Sequence, residues 1–184
     1  MTLIVGLENS DGKVYIGSDN GIFGGDDKWN AHEDKVFRKR NYLIGCAGSI
    51  RLGQIIRYHF DPPIFKSGNI YKFLVNRFVK NLVNCIHKYS PDIYSEVGAK
   101  DIDLEILLGY KGKIFTIGND LGVYRDVANK FNVIGANGDV AKGVLFASEK
   151  LSKDLHPEQR IKLAFEGTAK FTTTVVPPYR IWKI

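Results

Sequence analysis

The chain has 184 residues, 44% apolar and 25% charged, proportions that exclude a disordered chain and a collagen-like one. A chain of this length folds as one domain, here 1–184, and buries roughly 70% of its unfolded surface without needing staples. Lys and Arg outnumber Asp and Glu 26 to 20, a net charge of +6, but the basic residues are scattered and their tightest group, Arg38-Lys39-Arg40, reads as a solvated turn, so no nucleic-acid partner is expected.

The opening run Leu3–Leu7 and the run Val14–Ile16 flank Asn9-Ser10-Asp11-Gly12. Asp-Gly is a strong turn signal, so residues 2–19 read as a hairpin. A loop rich in glycine and aspartate follows, from Asn20 to about Asn30. Lys35–Arg38 and Tyr42–Cys46 read as a second strand pair. Gly48-Ser49 then opens a helical pattern with Ile50, Ile55 and Ile56 inward, halted before Asp61-Pro62-Pro63. Residues 69–89 form the clearest helix, with Ile70, Phe73, Leu74, Phe78, Leu82, Val83 and Ile86 at helical spacing. Cys85 lies near that apolar face and reads as a packed core thiol.

Beyond Pro91 the period becomes extended. Leu104–Tyr110, Lys113–Ile117, Val123–Asp126 and Phe131–Ile134 read as short strands. Helices follow over about 138–152 and 157–170, the second with Pro157 and Glu158 well placed at its start. Phe171–Val176 and Tyr179–Ile184 read as final strands, broken by Pro177-Pro178. Blocks of strands alternating with blocks of helices predict an α+β fold with sheets packed on each other and helices outside, a four-layer α-β-β-α arrangement.

No apolar run approaches the ~20 residues of a membrane span, so no membrane partner is expected. There is no basic leader before Leu3–Leu7, and the two cysteines, Cys46 and Cys85, suit a reducing compartment, so the expected location is cytoplasmic. The histidines show no metal-ligand spacing, and neither a metal nor another cofactor is expected. Gly135-Ala136-Asn137-Gly138 fits no phosphate-loop pattern. Gly45-Cys46-Ala47-Gly48 has the setting of a nucleophile elbow but carries Ala47 at its centre, leaving Cys46 with a distant histidine as a weak alternative nucleophile.

Thr2 offers a different chemistry. If Met1 were removed, Thr2 would carry a hydroxyl nucleophile and its own general base, since an α-amine titrates near pH ~7.7–8.0. Read together, Thr2-Leu3-Ile4-Val5-Gly6, Gly17-Ser18-Asp19, Asp34-Lys35-Val36, Gly45-Cys46-Ala47-Gly48 and Val133-Ile134-Gly135 resemble the β-type subunits of the proteasome family, including the bacterial peptidase HslV, over essentially the whole chain. The resemblance implies an N-terminal-nucleophile hydrolase fold and a threonine-type endopeptidase. Thr2 is then the nucleophile, Lys35 the cation that activates it, Asp19 the acid that holds Lys35, and Gly48 the oxyanion-hole N–H and part of the substrate cleft. Cys46 falls in the pocket for the side chain before the scissile bond. It further implies a peptide or unfolded-protein substrate, a homo-oligomeric ring, and a separate unfoldase of the AAA+ class as partner. The chain departs from the family pattern at Ala136, where the family has a serine, and at Ala169 and Thr172, where it has an aspartate and a serine. Two other functions fit the same fold: an inactive ring or assembly subunit, and a small-molecule amidase.

Overall fold

The computed structural model describes residues 1–24, 26–92, 101–151 and 154–184. Two antiparallel sheets organise the chain. The first contains β1 (Leu3–Glu8), β2 (Val14–Ser18), β10 (Phe131–Gly135) and β11 (Arg180–Lys183), in the order β10-β1-β2-β11. The second runs β5 (Val36–Lys39), β6 (Tyr42–Gly48), β7 (Leu104–Tyr110), β8 (Lys113–Ile117) and β9 (Val123–Tyr124), in that order. Every residue of β2 is buried, as are the first five of β1. This explains why their sequences read as continuous apolar runs rather than alternations.

Three apolar cores follow from this layout. One holds Ile4, Ile16, Leu43, Leu107 and Ile114, side chains drawn from both sheets. A second joins the five-stranded sheet to α1 (Ile50–His59) and to the helical stretch α2. The α2 stretch comprises Ile70–Phe73, a π-helical segment Leu74–Phe78, and Val79–Tyr89. Phe78, fully buried in the wide-turn segment, packs against Tyr42 and Phe60 with ring centroids 5.3 and 5.2 Å away. The third core joins the four-stranded sheet to α3 (Gly138–Leu151) and α4 (Pro157–Phe171), through Leu3, Val5, Leu145, Ile161 and Phe165. Glu8 ties β1 to the other sheet: its carboxylate accepts from Ile114 N–H at 2.8 Å and from Arg125 at 2.8 and 3.1 Å.

Several expectations need correction. The loop from Asn20 to Asn30 contains a hairpin, β3 (Gly21–Gly24) and β4 (Asp27–Asn30), which is hard to read because every residue of β4 is exposed. Ile50 is 55% exposed; as the first residue of α1 it faces a cavity, and Leu52, Ile55 and Ile56 do the burying. Phe171–Val176 is not a strand. The helix continues through Phe171, and the Thr172 hydroxyl donates to the Thr168 carbonyl at 2.9 Å, tying the chain to the helix end. The last strand is Arg180–Lys183, and β9 stops at Tyr124. Ser152, expected to end the third helix, lies outside the described residues. Among the described residues no helix is long and apolar enough to cross a membrane.

Phe78→Ala should cost about 3–5 kcal/mol by urea denaturation, since the cavity it leaves lies between two other rings. Val75→Ala, on the exposed side of the same helix, should stay within about 0.5 kcal/mol.

Candidate active site

Where β2 ends, the chain turns through Asp19 into β3. The Asp19 side chain is completely buried, a costly position for a carboxylate unless donors surround it. Three do so. Leu3 N–H donates to Oδ1 at 2.9 Å, Gly21 N–H to Oδ2 at 2.9 Å, and the Lys35 ammonium to Oδ1 at 2.8 Å. Lys35 Nζ also donates to the Gly21 carbonyl at 2.5 Å. The backbone of Lys35, just before β5, is held in turn by Cys46 N–H, which donates to its carbonyl at 3.1 Å. Burial lowers the Lys35 pKa below its ordinary value of 10.5, against the opposing pull of the Asp19 charge and hydrogen bond.

Two glycines shape the backbone beside Thr2. Gly48, at the end of β6, has φ +102°, and a Cβ there would fall 2.4 Å from the Asp103 carbonyl oxygen. That carbonyl accepts from Ser49 N–H at 2.8 Å, and Ser49 caps α1. Gly135, at the end of β10, has φ +86°, and a Cβ there would fall 2.0 Å from the Thr2 carbonyl oxygen. This leaves Thr2 O free to accept from Ala136 N–H at 2.7 Å.

The structure brings Thr2, Lys35, Cys46 and Gly48 to the wall of one cavity of about 620 Å³. Asp19 does not line it but stands behind Lys35. Burial pushes the Cys46 thiol up to about 12, opposed weakly by Arg57, so the thiol stays protonated at neutral pH and is a poor nucleophile. Ala136 borders a second cavity beside Thr2. Ala169 packs against the α3–α4 core, and the Thr172 hydroxyl is spent on the end of α4. Among the described residues no group of three or more His, Cys, Asp or Glu could hold a metal ion.

Several cavity residues escape sequence reasoning. Arg57 reaches across the cavity from α1, sits over the Phe37 ring at 4.3 Å, pairs with Glu33 at 3.5 Å and donates to the Asp34 carbonyl. The Asp34 side chain pairs with Arg180 at 2.7 Å and accepts from Trp182 Nε1 at 3.2 Å, so β11 steadies the residue next to Lys35. The one local signal was the adjacency of Asp34 to Lys35; Arg57 lies on a face of α1 that periodicity marks as solvent.

No family model matches the chain, and no curated protein does. Among solved structures, Thiobacillus denitrificans BPH in complex with epoxomicin is similar at 20% identity, over 100% of this chain and 98% of that one, with a TM-score of 0.79. The fold is proteasome-like. Eukaryotic HslV from Trypanosoma brucei is similar at 14% identity, covering 98% of each chain with a TM-score of 0.69. Anbu from Pseudomonas aeruginosa, solved as a helical assembly, is similar at 16% identity over 99% of this chain and 80% of that one, with a TM-score of 0.68. At these identities the likeness speaks for the fold alone.

Asp19→Asn should destabilise the protein by about 3–5 kcal/mol in urea, because a buried ammonium loses its charged partner. It should also lower the Lys35 pKa further, since both influences that raise it come from Asp19; an NMR titration of labelled lysine reads this directly. Between the lowered folded value and the unfolded value of 10.5 the unfolded chain binds more protons, so the contribution of Lys35 to stability grows as pH rises through that window.

Proposed function

We propose that the chain is a threonine-type endopeptidase acting on peptides or unfolded protein once Met1 has been removed. The single observation that carries this reading is the meeting of Thr2 and Lys35 at one cavity, with Lys35 held by a buried Asp19 that also binds the backbone next to Thr2. In the proposed reaction Thr2 Oγ attacks the scissile carbonyl carbon while the freed Thr2 amine takes the hydroxyl proton. The positive charge of Lys35 lowers the proton affinity of the hydroxyl. The Gly48 N–H receives the developing oxyanion. The C–N bond breaks, the amine returns the proton to the departing nitrogen, and an ester remains on Thr2. Water, deprotonated by the same amine, attacks the ester carbon; the C–Oγ bond breaks, the amine returns the proton to Thr2 Oγ, and the acid is released. The scheme draws on no metal or organic cofactor.

The same reading treats the chain as one domain with its three cores stacked as an α-β-β-α sandwich, working in the cytoplasm. The helical assembly of the similar Anbu protein supports a homo-oligomer for this chain. A ring fed by an AAA+ unfoldase is the finer form of that proposal. Ala136 and Ala169 favour a second reading, an assembly subunit without activity, because neither side chain can hydrogen-bond to a terminal amine.

Retained Met1 makes the Thr2 nitrogen an amide, which cannot act as a base near neutral pH. The Met1 form should therefore be inactive. The form with Thr2 freed, made by cleaving a removable N-terminal fusion, should cleave peptides with or without a chelator and gain the mass of one epoxomicin. Thr2→Ala should abolish turnover, and Lys35→Ala should reduce kcat on the order of 10²-fold or more. A freed protein that assembles but neither cleaves peptides nor captures epoxomicin would establish the assembly-subunit reading instead.

A further inference from the structure

Thr2 also borders a second cavity, of about 290 Å³, that Lys35 does not line. Its wall includes Met1, Ala136, Asp103, Glu105 and Asn119. Glu105 lies on β7 opposite Ala47 of β6, and its Oε2 accepts a hydrogen bond from Gly135 N–H at 3.1 Å. Gly135 is the residue whose backbone crowds the Thr2 carbonyl, and the next N–H, that of Ala136, donates to that carbonyl. The Glu105 carboxylate is thus anchored to the same short backbone segment that holds Thr2. Met1 forms part of this wall, so cutting the Met1–Thr2 bond creates an α-amine at the edge of a chamber whose lining, among the described residues, includes Asp103 and Glu105 and no lysine or arginine.

We propose that Glu105 is a positioning residue for the freed Thr2 α-amine; this rests on the peptidase reading above. Its carboxylate accepts a hydrogen bond from the amine, directly or through one water, and so turns the nitrogen lone pair toward the Thr2 hydroxyl. Its negative charge also raises the proton affinity of the amine, opposing the effect of Lys35. Among the described residues, the charged groups on the walls that Thr2 borders are Glu105 and Asp103 at the second cavity and Lys35, Arg57, Glu33 and Asp34 at the first, where His32 is a further titratable group and Asp19 stands behind Lys35. The Gly135–Ala136 segment and Asn119 contribute no charge, and Asp139 in the first turn of α3 projects fully into solvent. Glu105 takes the role rather than Asp103 because its carboxylate is tethered at Gly135.

The test uses the full chain with Thr2 freed, compared with Glu105→Gln and Glu105→Ala. Glutamine keeps an oxygen that can accept from Gly135 N–H and removes the charge, whereas alanine removes both. At pH 7 an amine-directed acylating reagent, followed by peptide mapping of Thr2, should label the Glu105→Gln protein roughly three- to tenfold faster than wild type, because the amine loses its proton more readily. In peptide hydrolysis Glu105→Gln should lower kcat with KM held, and should move the acidic limb of the kcat profile to lower pH. Equal labelling rates in wild type and Glu105→Gln would overturn the proposal. So would a Glu105→Gln enzyme with the wild-type pH profile beside an impaired Glu105→Ala, the mark of a purely structural tether. If the freed wild type cleaves nothing, the peptidase reading fails, and the labelling comparison still decides whether Glu105 faces the amine.

Discussion

A carboxylate with no access to water organises this molecule. Withdrawing an ion from water costs several kcal/mol unless donors replace the lost hydration, and Asp19 is surrounded by donors from three separate stretches of chain: the first residue of β1, the first residue of β3 and the side chain of Lys35. Moving any of them strands a buried charge. The strand that carries Thr2, the turn into the β3–β4 hairpin and the cation at the cavity wall are therefore fixed relative to one another by one group, and that group never touches the cavity itself.

Backbone shape completes what the charge begins. On either side of Thr2 the chain passes through a glycine with positive φ, and at each a carbonyl oxygen comes closer than any side chain permits: 2.4 Å from a would-be Cβ at Gly48 and 2.0 Å at Gly135. One close approach lets Ser49 cap α1 while β6 ends at the cavity. The other lets β10 grip the Thr2 carbonyl. The surroundings of Thr2 are set by bare backbone as much as by side chains.

Much of the fold was legible because apolar runs and turn signals coincide. Asp11-Gly12 marked the first hairpin, and the period of residues 69–89 marked a helix, although not its π-helical segment, since a single wide turn leaves the apolar stripe nearly unbroken. The β3–β4 hairpin was hidden because Asp27–Asn30 has no buried face to alternate with. Phe171 looked like the start of a strand because nothing local distinguishes an aromatic at a helix end from one in a sheet. For the site, Thr2, Asp19, Lys35, Cys46 and Gly48 were reached through resemblance and order along the chain, not through spacing. Glu105 and Arg57 could not be reached that way. Glu105 comes beside Thr2 only through the pairing of β6 with β7 and of β1 with β10, and Arg57 only through the way α1 crosses the second sheet.

The strand order has a kinetic consequence. β1 finds one neighbour, β2, within a short hairpin, but its other neighbour is β10, with Leu3 opposite Gly135, and β2 in turn waits for β11, with Ile16 opposite Trp182. Closing such long loops is entropically costly before any contact rewards it, and chains dominated by distant pairings fold slowly. During that delay the hairpin has two unpaired, apolar edges, the kind of surface that recruits other chains. The hydroxyl of Thr2, meanwhile, lacks its fixed surroundings, because the grip on its carbonyl belongs to the distant pairing of β1 with β10. The placement of Thr2 beside its cavities is therefore tied to that distant pairing, and a half-built chain presents a sticky sheet edge well before it presents those cavities.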